Sequence, residues 1–174
     1  MFIDESGFML QPVCRRTWAP RGQTPVQKSW DRRDRLSVGA ALTVSPRRRR
    51  MGLYFRIHSH NIRFGEAIEL ITLVHRHLRR KFTLVLDRYS VHRKAVRLLR
   101  EKHPAWFDAE WLPAYAPELN PVEQVWNHSK YSHLANFIPD DVDHLHRELD
   151  GSLRRQRSAS DLLHAFLKHA RLRL

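Results

Sequence analysis

Three acidic residues stand where a strand end or a helix start would present a carboxylate: Asp4 in FIDESGF, Asp87 in FTLVLDRYSVH and Glu123 in PAYAPELNPVEQVW. Asp87 ends the apolar run Phe82 to Leu86, and the carboxyl edge of a strand is where open α/β sheets place their working residues. Two such acids and a third on a nearby helix start make a carboxylate cage for divalent metal. Hard Mg²⁺ prefers oxygen ligands and usually takes only one or two carboxylates, so three acids suit a pair of Mg²⁺ or Mn²⁺ ions shared with phosphate oxygens.

Each acid also has a purely structural alternative. Asp4 lies in IDESG, a strand leading into a turn, and acidic turn residues are common. Asp87 needs a partner, because a carboxylate at the end of an apolar strand costs several kcal/mol unless a cation or hydrogen bonds compensate. The adjacent Arg88 is one such partner, although neighbouring strand residues point to opposite faces. Asn120-x-x-Glu123 has the form of a capping box, whose acid reaches back to the N-cap amide, so capping and metal chemistry both stay open for Glu123. The conjunction of the three acids on one basic chain favours the site.

The elements that must position these acids read as mixed α/β. Leu36 to Val44 and Leu53 to His58 are strand-like and flank SPRRRRMG, which gives a hairpin with a basic tip. Arg16 to Pro25 holds two of the nine prolines and is expected to be a short edge strand and loops. Apolar residues at Ile68, Ile71, Val74 and Leu78 recur at helical steps over Phe64 to Leu78. Phe82 to Leu86 is a buried strand, Val91 to Lys102 a helix with a basic outer face, and Ala109 to Leu112 a short strand. Asn120-Pro121 starts the next helix, with Asn as N-cap and Pro at the first helical position. Helices at about Asp141 to Arg155 and Ser160 to Leu172 follow.

Composition narrows the function classes. The 174 residues and their 42% hydrophobic content suit one globular domain with a real core. Lys plus Arg number 31 against 18 Asp plus Glu, a net charge of +13 spread through most segments, so nucleic acid is the expected partner. No apolar run approaches the ~20 residues needed to span a bilayer, so no membrane role is expected. The single cysteine, Cys14, excludes an internal disulfide framework and fits a reducing cytoplasm. Zinc is not expected, since no four-ligand cluster is visible among the histidine pairs. The run Arg47, Arg48, Arg49, Arg50 is either a solvated hairpin tip or a set of phosphate contacts, and contact is favoured. Trp106, Trp111 and Trp126 are expected in the core rather than as base-stacking platforms.

FIDESGF, TWAPRGQTPV, LVLDRYSVH and LPAYAPELNPVEQVW together resemble the catalytic domain of transposases of the insertion sequence 630 and mariner-type superfamily. The likeness runs from Met1 to at least Leu134, and AYAPELNPVEQVW is its most specific piece. It implies a ribonuclease-H-like sheet flanked by helices, with the first strand clipped, and a DDE endonuclease in which Asp4, Asp87 and Glu123 hold two metal ions. His92 matches the histidine that follows the second acid, and Lys130 the basic residue after the tryptophan. Both are expected to contact phosphate or water. Arg88 stands where many relatives carry Asn, so a guanidinium adjoins the metal site, there to weaken metal binding or to touch DNA phosphate.

The implied reaction nicks DNA at transposon inverted-repeat ends and transfers the freed strand to target DNA, with no covalent enzyme intermediate. A homodimer on DNA and work at the bacterial nucleoid belong to the same expectation. The chain starts three residues before Asp4, so the N-terminal helix-turn-helix region of such transposases is expected to be absent. Two alternatives keep the fold but not the reaction: an inactive DNA-binding remnant and a structure-specific nuclease.

Overall fold

Leu36, Val38, Ala40 and Leu42 alternate with Ser37, Gly39 and Ala41 along one strand, and successive side chains on a strand point to opposite faces. That alternation separates two cores, because the first set packs into one cluster and Ala41 into another. The structure, a computed structural model, describes residues 1–28, 34–47 and 49–172. Its strands are β1 (Phe2–Met9), β2 (Arg35–Val44), β3 (Met51–His58), β4 (Phe82–Leu86) and β5 (Phe107–Trp111). They form one sheet in the order β3-β2-β1-β4-β5. β1, β2 and β3 are antiparallel neighbours, whereas β4 runs parallel to β1 and β5 parallel to β4.

Among the described residues, five α-helices cover the two faces. α1 (Phe64–Leu78) and α2 (Ser90–Lys102) bury Leu70, Ile71, Val74, Val96 and Leu99 against Ile3, Leu84 and Leu86. On the other face α3 (Val122–His128), α4 (Val142–Ser158) and α5 (Ser160–His169) bury Trp126, Leu149, Leu153 and Leu163 against Phe8, Val38 and Leu42. Each fully buried aliphatic side chain contributes about 1.5–3 kcal/mol. A 3₁₀ turn, Pro117–Leu119, precedes α3, and a π turn, Ser129–His133, continues it.

The sheet order and its helical cover are those of the ribonuclease-H-like fold. α1 and β4 have the predicted bounds, and β3 starts two residues earlier than expected. The edge strand expected within Arg16 to Pro25 is a correction: those residues form no strand, and the nearest pairing is an isolated bridge between Val13 and Ala135. Pro20 and Pro25 offer no backbone donor to a ladder, and the stretch is tied down by side chains instead. Asn136 Oδ1 accepts from Arg15 N–H at 2.7 Å, and Gln27 Nε2 donates to the Asn136 carbonyl at 2.9 Å. The start of α3 also shifts by one residue, with Pro121 at the N-cap position and Val122 first in the helix. β1 pairs along its whole length with β2, while its parallel ladder to β4 is short, with Phe2 opposite Val85.

Candidate active site

Register brings the first two acids together. Phe2 lies opposite Val85, so Asp4 stands level with Asp87, just past the end of β4, on neighbouring strands about 4.8 Å apart. The same register separates Asp4 from Glu5, because adjacent side chains of β1 point to opposite faces. Asp4 faces α3, and Glu5 faces α2.

On the α3 side, Glu123, Trp126 and Lys130 recur at three- and four-residue steps through the helix and its π turn, so they share one side. Trp126 Nε1 donates to Asp4 Oδ2 at 2.9 Å, and Lys130 Nζ donates to Ser6 Oγ at 2.7 Å. Asp4 and Ser6 are alternate residues of β1, so α3 lies along that strand. Buried Asn120 fixes the start of the helix: its Nδ2 donates to the Ile3 carbonyl at 3.1 Å, and its Oδ1 accepts from Val122 N–H at 3.2 Å. The N–H of Asn120 bonds the Pro117 carbonyl. The capping-box alternative for Glu123 therefore gives way, since that N–H is already taken.

Burial, and then the charge of Glu123, push Asp4 up to about 7, against the bond from Trp126. Glu123 is also raised, chiefly by burial, with Lys130 pulling it down and Asp87 adding to the rise. Contact with the Asp4 side chain lowers Glu123 in turn. Lys130 is lowered by burial, against the pull of both acids. All three predicted acids thus meet in one electrostatic cluster. Among the described residues, neither Asp4 nor Glu123 has an ion-pair partner within 4.0 Å.

On the α2 side, His92 is 1% exposed and bonded at both ring nitrogens. Its Nδ1 meets Asp87 Oδ1 at 2.5 Å, and its Nε2 meets Glu5 Oε1 at 2.8 Å. Burial pulls the ring down, but the two carboxylates outweigh it and push His92 up to about 10. Asp87 is lowered by the His92 bond first, and Tyr89 N–H adds a second at 3.0 Å. His92 therefore binds the two acids to each other rather than reaching outward. Glu5 was missed in the sequence. Its signal was the doublet in IDES: two successive strand acids need partners on two faces, and His92 supplies the second.

The remaining expected residues lie apart. Arg88 is exposed and opens a groove beside Asp87. Arg47, Arg49 and Arg50 are exposed on the β2–β3 turn, and Arg48 lies outside the described residues. That turn follows Val44, which lies beyond Phe2 in the register, at the edge where β4 begins. A cavity of about 690 Å³ there is lined by both Arg50 and Phe82. The basic hairpin and the acid cluster thus occupy opposite edges of the sheet. Trp126 is buried as expected, while Trp106 and Trp111 are half-buried. Cys14 is exposed.

The donor set fits a hard divalent cation, because its oxygens are carboxylate and a cation would offset the burial and like charge that raise Asp4 and Glu123. Among the described residues no three His, Cys, Asp or Glu side chains already converge to grip an ion, and Asp87 Oδ1 is held by His92 and Tyr89.

Comparison with known proteins gives a family. No curated protein sequence matches the chain significantly. The fold is similar to that of the Mos1 strand transfer complex, with a TM-score of 0.64 at 16% identity over 98% of this chain and 50% of that one. It is equally similar to the Mos1 transposase paired-end complex with left transposon end, with a TM-score of 0.65 at 13% identity over 98% and 50%. The Mos1 mariner paired end complex with Mn gives 0.63 at 13% over 98% and 53%. The chain thus spans about half the length of these structures. The family model for the DDE superfamily endonuclease matches residues 1–146, most of the chain and all three acids, and the protein belongs to that family.

Proposed function

We propose that the protein is a transposase catalytic domain that cuts DNA at transposon inverted-repeat ends and joins the freed strand to target DNA. Asp4, Asp87 and Glu123 would hold two Mg²⁺ or Mn²⁺ ions, and residues 1–174 act as one domain, paired as a homodimer on DNA. The observation that carries this reading is the acid cluster: Glu123 on α3 lies in electrostatic reach of both Asp4 on β1 and Asp87 at the end of β4, and Asp4 and Glu123 have no ion-pair partner among the described residues. The chain's +13 charge supports a polyanionic substrate.

Bound there, the divalent ions supply an activated water and stabilise the leaving 3′ oxygen. The chain's own residues do the positioning. Trp126 holds one oxygen of Asp4, Asn120 sets the height of Glu123 against β1, and His92 fixes the angle of Asp87. Lys130 stands beside the acids with its ammonium on Ser6, placed to meet a phosphate oxygen. Arg88, with Arg47, Arg49 and Arg50 at the far edge, adds contacts to the DNA backbone.

The test is a nicking assay on duplex DNA carrying the element's inverted repeat, with Mg²⁺ or Mn²⁺. Asp87→Asn keeps size and much of the hydrogen bonding but removes the negative charge, so cleavage should fall by about a thousandfold or more while DNA binding persists. Equal cutting by Asp87→Asn, or in excess chelator, would refute the reading. A protein that binds but never cuts is the remnant.

A further inference from the structure

Arg93, Arg97 and Arg100 recur at four- and three-residue steps along α2, so they share one side of the helix. Together with Arg88 they line an open groove of about 740 Å³ whose floor includes Val96 and Trp111. Arg88 follows Asp87 in sequence, so the groove begins beside the acid cluster and runs outward along α2. All four arginines are exposed. Among the described residues, none of their guanidinium groups makes a hydrogen bond, an ion pair or a stacking contact. Four like charges on one surface repel each other, and Glu101, the one acid lining the groove among the described residues, forms no ion pair with them. Their arrangement calls for an anion from outside.

We propose that this groove is the track for the phosphate backbone of one DNA strand as it passes out from the acid cluster. The inference rests on the DNA-cutting reading for the identity of its ligand. Length supports it: from Arg93 to Arg100 the helix rises about 10 Å, the length of duplex axis over which one strand presents about three phosphates, one per ~3.4 Å of axis. Guanidinium groups suit phosphate because they donate in pairs from a planar fork. Val96 and Trp111 give the apolar floor against which sugar rings can pack. Glu101, at the far end of the groove, repels phosphate and bounds the track.

The test is the salt dependence of duplex binding by fluorescence anisotropy, in chelator, with wild type, Arg93→Ala/Arg97→Ala/Arg100→Ala, and a control of equal charge change. The control is Arg76→Ala/Arg79→Asn/Arg80→Ala, three exposed arginines near the end of α1. Asn is chosen at Arg79 because that residue has φ 51, which Asn tolerates. Circular dichroism checks that each variant keeps its helices. The groove variant should flatten the slope of log affinity against log salt by about 2 to 3, near 0.9 per lost phosphate contact. The control should change it by less than one contact's worth. An unchanged slope in the groove variant, or an equal loss in the control, would overturn the track in favour of diffuse charge. Because no cleavage is needed, a protein that never nicks can still pass this test, and one that nicks can still fail it.

Discussion

His92 bonds two carboxylates at once, and only the doubly protonated ring satisfies both, since each nitrogen then donates. The consequence is a pH-dependent share of stability. The folded pKa of about 10 lies above the ordinary 6.5, so the contribution is complete below 6.5 and disappears as pH rises through about 10. Glu5 is the more enclosed of the two partners, with its side chain 17% exposed against 52% for Asp87, so its charge is less screened. Glu5→Gln keeps an acceptor for Nε2 and removes that charge. It should cost about 1–3 kcal/mol in urea unfolding at pH 7, and the gap from wild type should close as pH approaches 10. A loss that stays the same at pH 6 and pH 10 would mark a packing defect instead. His92→Ala, which leaves both carboxylates without the ring, should cost at least as much and should free Asp87, raising its pKa toward the ordinary value.

α3 carries Glu123, and the side chain that sets its position is Asn120. This residue is 4% exposed and bonds β1 with one end of its amide and the helix with the other. Asn120→Ala leaves the Ile3 carbonyl and the Val122 N–H without these bonds, for about 2–3 kcal/mol of lost stability. It should also weaken Mn²⁺ binding, measured directly by electron paramagnetic resonance, because Glu123 then loses its register against Asp4. Unchanged Mn²⁺ affinity in a folded Asn120→Ala protein would show that the helix start does not set the site. Sequence alone indicated Asn120 as a helix cap and Glu123 as either cap or ligand. What it could not carry was the bond to Ile3, 117 residues away. The same divide runs through the molecule. α1 and β4 were legible to the residue because each repeats its period cleanly, as in Leu70, Ile71 and Val74. The Arg16 to Pro25 stretch was misread because it is anchored at its flanks, by Arg15 and Gln27 to Asn136 and Tyr131, rather than paired with a neighbouring strand. The place of the Arg47 to Arg50 turn was hidden for a related reason. A hairpin is local, but which sheet edge it occupies depends on the pairing of Phe2 with both Leu42 and Val85.

At the scale of the whole molecule, the +13 charge and the acid cluster pull in opposite directions, and pH decides between them. Positive charge draws the phosphate backbone to the surface at any ordinary pH, whereas the site that would act on it holds a proton up to about 7 on Asp4. Since that folded value exceeds the ordinary 3.8, the proton stabilises the metal-free fold fully below 3.8 and this share is lost as pH rises through about 7. A divalent ion competes for the same oxygens, so binding it releases the proton. Single-turnover nicking at fixed Mg²⁺ should therefore rise through about pH 7, reach a plateau, and fall as pH approaches 10, where His92 loses its charge and its hold on Asp87. The two limbs should respond differently to metal. Raising Mg²⁺ tenfold should move the rising limb to lower pH by up to one unit, because each tenfold excess of competitor offsets one tenfold excess of protons, and should leave the falling limb in place. Trp126→Phe removes the bond that holds Asp4 down, so it should move the rising limb to higher pH while keeping the ring in the core. A rising limb that ignores both metal concentration and Trp126→Phe would separate it from Asp4, and with it the assignment of Asp4 as a ligand.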